Sequence, residues 1–360
     1  MSYYQLLQKG ANVLKPLIKE ASDKRTKAKY ISALILKSIL CIAFCMLFVT
    51  TFTNLFGAEN SIVGVITVIG VLTYRLSNLG FNVKQSALAI LGVYGIYIIF
   101  PYLASISNPF LGAIINFVAL MVIVILTCYD IRLSNQSIFI LGYFLLYGYK
   151  VTSIDSLISR GIALIVGGLL VSSIFYIKSR KTIYEATIRD VIKSVKINNE
   201  RTKWQIKLVL LISTAVLIGE LVHIPRTMWI AFACMSVLQP DKEMINFRYI
   251  KRSIFIIVGC LVVGIIYTIV PDEIKSFIGL AGGVLSGFCM SYQGLVVFNC
   301  FGALSSAIVI LGVWPAIILR IINNVFGCFY AKAFDHVFDI IYEKINNSRY
   351  DVEEENIELG

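Results

Sequence analysis

The chain has 360 residues, of which 58% are hydrophobic and 15% charged, with a formal net charge of +11 and a mean hydropathy of +0.81. Soluble domains carry about 25% charged residues, so the composition excludes a soluble globular protein and predicts an all-α polytopic membrane protein. The basic excess lies between apolar runs, as the positive-inside rule requires, and no nucleic-acid partner is expected.

In chain order, residues 1–30 form a basic amphipathic N-terminal segment. Tyr3, Leu6, Leu7, Leu14, Leu17 and Ile18 recur at helical spacing with Lys9, Lys15 and Lys19 between them. This pattern predicts an interfacial helix on anionic lipid of the inner leaflet, weakened by Gly10 and Pro16. The polar start, followed by an apolar run long enough to span, does not read as a cleavable signal. Six apolar segments follow, at about 31–56, 61–74, 84–105, 109–128, 136–149 and 156–177. A basic stretch over 179–203 carries an apolar stripe of Ile183, Ile188, Ile192 and Val195, and is expected as a cytoplasmic linker helix. Six more segments lie at about 205–224, 228–239, 253–271, 274–290, 293–312 and 314–333. Residues 334–360 form an acidic tail ending in DVEEENIELG, expected to be solvated and cytoplasmic. The basic residues therefore predict about twelve segments with both termini inside, leaving Lys150, Arg226 and Lys275 outside.

The two sets of six resemble each other. Gly92 and Gly259 are 167 positions apart, whereas Arg160 with Gly167 and Arg320 with Gly327 are both related by 160. The order and near-constant offset predict two tandem parallel six-helix repeats, 31–178 and 204–333. The segment Met228 to Gln239 has only 12 residues. As a helix it covers about 18 Å, short of a bilayer core of about 30 Å. It is expected as a broken helix walling a substrate path, followed after Gln239-Pro240 by a basic loop. The simpler reading extends it through Ile224–Thr227 and Asp241–Met244.

Charges inside apolar segments carry the functional expectation. A buried arginine is costly unless paired or hydrated, and its planar fork suits a carboxylate. Arg320 and Arg160 are therefore candidate anion-binding residues where the halves meet, with Asn323 and Asn324 as amide donors one turn further on. Snorkelling to headgroups, or pairing with Asp155 or Glu220, is the bland alternative. Glu220 and His223, three apart near the end of the seventh segment, are candidates for proton coupling. An interfacial capping pair explains them as simply. Trp229 fits an outer aromatic belt or could stack on an aromatic substrate, and Gln239 could line the broken segment. Lys37 and Lys207 are expected to snorkel. The eight cysteines form no CxxC pair and two histidines are too few for a zinc site, so no metal or cofactor is expected. No Walker, Ser-His-Asp or HExxH pattern marks an enzyme.

From Trp229 to Ser253 the chain resembles the fusaric acid resistance protein-like family, which includes aromatic acid exporters. The resemblance rests on a Trp after a short outer turn, VLQP at Val237–Pro240, the basic stretch RYIKRS, Gly259 with Gly264, and Arg320-x6-Gly327. The first half departs from the pattern, with GVLTYR at Gly70–Arg75 in place of the Trp and Gln-Pro. The resemblance implies a bacterial inner-membrane protein that exports aromatic or other organic acids. An organic-anion channel and a non-transporting membrane scaffold remain as alternatives. The expected partners are a small organic anion, anionic lipid and, as an open alternative, a second copy of the chain.

Overall fold

The computed structural model of the protein describes residues 2–197 and 199–358, with side chains described through residue 345. Sixteen α-helices, and no strands, are present among the described residues. They are α1 (Tyr3–Leu7), α2 (Ala11–Glu20), α3 (Lys24–Phe56), α4 (Ser61–Tyr74), α5 (Val83–Ile106), α6 (Pro109–Thr127), α7 (Gln136–Gly148), α8 (Ile154–Ser179), α9 (Ile188–Lys193), α10 (Glu200–Leu221), α11 (Met228–Val237), α12 (Lys242–Ile269), α13 (Asp272–Lys275), α14 (Ile278–Gly287), α15 (Tyr292–Leu311) and α16 (Val313–Glu358). Their starts follow from local chemistry. Asp23, Asn82, Asn108, Ser153, Asn199, Asp241 and Ser291 each accept a backbone N–H of the first turn, satisfying donors that a helix end leaves open.

Eight helices are long and apolar enough to cross a membrane, and four shorter apolar ones are α4 with its preceding turn, α7, α11 and α14. Every apolar run expected from the sequence is therefore helical. α4 packs on α3 and α8, and α5 on α6, α7 and α8; α11 packs on α10 and α16, and α12 on α15 and α16. Gly167 lets α8 close on α4, where a Cβ would meet the Thr67 side chain, and Gly327 lets α16 close on α11, where it would meet Ala233. The two bundles join where α10 lies on α6, α11 on α7 and α14 on α3. One end of the whole (the upper end) carries the turns 57–60, 149–153 and 222–227, tied by Arg160 to Glu59 and Tyr149 and by Tyr147 to Glu220.

Several expectations need correcting. The basic stretch after Pro240 is not a loop: capped by Asp241, α12 begins at Lys242 and runs for 28 residues. Between the end of α8 and the start of α10 the linker is helical only over α9, and its supposed stripe is out of register, with Ile183 92% exposed and Val191 buried. Its backbone docks instead on α5, through Asn82 N to Ala186 O (2.8 Å) and Ile188 N to Gln85 Oε1 (2.6 Å). Lys207 does not snorkel. It is buried and paired with Asp335 (2.6 Å) and Asp339 (2.7 Å), and Lys242 completes the group from α12. These partners lie beyond residue 333, in a helix that continues without a break. The terminal acidic run falls outside the described side chains. The N-terminal segment is two short helices, α1 and α2, each packed on α3, with Leu6 and Leu14 clustered with Ala33 and Leu34 and Lys15 and Lys19 exposed.

Candidate anion-binding site

α11 is short because both of its ends are blocked. Before it, His223 (φ 55°) and Arg226 (φ 59°) are left-handed, a conformation that disfavours side chains with a Cβ; after it, Leu238 is extended and leads into Pro240. The left-handed turn persists because its polar groups are held. Ile224 N donates to Gly219 O (2.8 Å), Thr227 Oγ1 to Glu220 Oε1 (2.6 Å), and Asn323 Nδ2 to the carbonyls of Pro225 (3.0 Å) and Arg226 (3.1 Å). Asn323 lies ten residues into α16, so the turn sits about 15 Å below the start of that helix.

Arg320, almost one turn before Asn323 on α16, is 5% exposed. Its guanidinium stands 5.0 Å from the centre of the Trp229 ring, itself buried and so not part of a surface belt. Cys300 is its other close neighbour. No ion pair among the described residues includes Arg320, and its Nε has no hydrogen-bond partner. Two further arginines share the interior. Arg252 Nη2 donates to Asn324 Oδ1 (2.8 Å); Arg248 Nη1 donates to Ser236 O (3.1 Å) and its guanidinium stands 5.0 Å from the Tyr292 ring. The Nε of each is also buried without a partner. Three guanidinium groups therefore line one half of the bundle with no carboxylate beside them. A cation–π contact returns only about 2 kcal/mol when desolvated, while removing a cation from water costs several. The imbalance favours an anion arriving from outside the chain.

The other expected residues divide. Asn323 and Asn324 flank the site, but their amide donors are engaged, Asn324 Nδ2 on Arg320 O (2.9 Å); what Asn323 leaves over is an unpartnered Oδ1. Gln239 directs its amide to Ser236 O and Leu238 O at the end of α11. Arg160 is held within the first half by Asn60 Oδ1 (3.0 Å), Tyr149 O (2.6 Å) and Glu59 O (2.9 Å) and shares no partner with Arg320. Glu220 accepts from Tyr147 Oη (3.0 Å) and from Thr227. With His223, Lys150 and Arg226 it lines a cleft of about 260 Å³ at the upper end, between the two bundles. Arg320 is not in its walls. Sequence reasoning missed Arg248 and Arg252. Their spacing of four on one helix face was the available signal, hidden by reading the stretch as a loop.

The architecture defines the class: a polytopic helical membrane protein, with buried cations in its second half. Residues 214–334 match the model of the fusaric acid resistance protein-like family, a span that runs from within α10 into α16 and contains the turn, Trp229 and all three arginines. No curated protein and no solved structure matches the chain.

Proposed function

We propose that this protein is a membrane transporter that exports organic anions, aromatic carboxylates in the first place, across a bacterial inner membrane with both termini cytoplasmic. One observation carries the reading: Arg320 is buried on the face of Trp229 with no counter-charge from the chain. A carboxylate would supply the missing charge through two parallel hydrogen bonds, beside an indole that favours flat, aromatic solutes. The match over residues 214–334 supports a transport role, and the shared order of contacts around Gly167 and Gly327 supports a duplicated bundle. Release toward the upper end would be accompanied by movement of the turn 222–227, which Asn323 ties to the site. Its walls there include Glu220 and His223, which suits them to couple that movement to a proton.

The test is transport of radiolabelled benzoate by inverted vesicles or proteoliposomes. Arg320→Ala should cut the rate about 100-fold, the order expected for losing a charge-assisted pair of hydrogen bonds, in protein that still reaches the membrane. An unaltered rate would remove Arg320 from the path and the reading with it.

A further inference from the structure

The number of unmatched charges says more about the cargo than the presence of one. A single carboxylate on Arg320 would leave Arg252 uncompensated. Arg252 reaches Asn324, one turn beyond Arg320 on α16, and the same asparagine binds the carbonyl of Arg320. Cys300 of α15 touches Arg320 and lies within electrostatic reach of Arg252. The two guanidinium groups thus belong to one neighbourhood, reached from α12 and α16. Each has its Nε buried and unpartnered. No aspartate or glutamate of the described residues pairs with either. Lys207 shows what this chain does with a buried cation it intends to neutralise by itself: two aspartates meet it.

We propose that Arg252 forms a second anion subsite next to Arg320, so that the preferred cargo is a dianion, a compact organic acid with two carboxylate groups about one helical turn apart. Arg320 and Trp229 take the first carboxylate and the ring; Arg252 takes the second, with Asn324 setting the spacing. The inference rests on the anion-transport reading, and its test separates the two.

Binding of benzoate and of isophthalate to the purified protein in detergent is measured by calorimetry. Isophthalate should bind at least tenfold tighter than benzoate. Arg252→Gln should weaken isophthalate at least tenfold and benzoate less than threefold, bringing the two affinities together. If that variant aggregates, Arg252→Lys keeps the charge and loses the fork, and should lower the isophthalate preference at least threefold. Equal affinity for the two acids in the unaltered protein would overturn the dianion subsite while leaving Arg320 as an anion site. So would an equal loss of both acids in either variant. Failure of Arg320→Gln to weaken either acid would instead overturn the anion-transport reading itself.

Discussion

Arg160 and Arg320 occupy corresponding places in the two halves, each seven residues before a glycine that lets its helix close on a neighbour. Both are buried to the same degree, each 5% exposed. Yet Arg160 donates to two turn carbonyls and an asparagine, while Arg320 rests on an aromatic ring beside Cys300 and keeps its Nε unpartnered. The difference lies in what holds the adjacent turn. In the first half Arg160 itself secures residues 59 and 60. In the second half Asn323 secures residues 225 and 226, which releases the arginine above it. One amide substituted for one guanidinium turns a structural brace into a site able to receive a ligand. The lesson is that burial alone does not mark function in a membrane bundle; burial without a partner does.

The largest effect should come from making an unmatched charge on purpose. Lys207→Met leaves Asp335 and Asp339 buried without their shared cation, and should destabilise the protein by about 3–5 kcal/mol, read as a sharp fall in melting temperature in detergent. Adding Asp335→Asn and Asp339→Asn to that variant should recover most of the loss. Next, Arg160→Ala leaves the carbonyls of Glu59 and Tyr149 unsatisfied and should cost about 2–4 kcal/mol of stability, while the folded fraction still binds benzoate. Arg320→Ala should show the reverse: a melting temperature that holds or rises, since an uncompensated charge is removed, with binding lost. If both arginine variants lose stability alike, the contrast between the halves collapses. Smaller still, Trp229→Leu should weaken aromatic carboxylates by roughly 3- to 30-fold, the range of a desolvated cation–π or ring contact, and change acetate binding much less. Smallest, Asn323→Ala should cost about 1–2 kcal/mol by freeing the left-handed turn, measurable as faster hydrogen exchange over residues 222–227.

Much of this was legible in the chain. Apolar runs bounded by Asn, Asp, Ser and Pro specified where the apolar part of each helix lies, because caps and hydrophobic length are local properties, while the polar extensions of α3, α12 and α16 were not marked by them. The short segment at Met228 was legible for the same reason: Pro225 and Pro240 bracket it, and neither can be absorbed into a regular helix. Arg320 was legible because a charge in an apolar run is conspicuous wherever it folds.

Partnership was not legible. Whether Arg160 meets Asp155, a lipid phosphate or the carbonyl of Glu59 depends on residues about 100 positions away coming to the same end of a bundle. Lys207 looked like Lys37 on a helix, yet only one of them has two aspartates 128 and 132 residues downstream. Arg248 and Arg252 fall in a stretch that reads as a basic loop, but α12 carries them inward against α11 and α16. Sequence by itself determined which segments enter the hydrophobic phase, since transfer free energy is summed along the chain. Only the tertiary structure decided which buried charges are matched, since a counter-charge acts through space at about 3 Å and takes no account of distance along the chain.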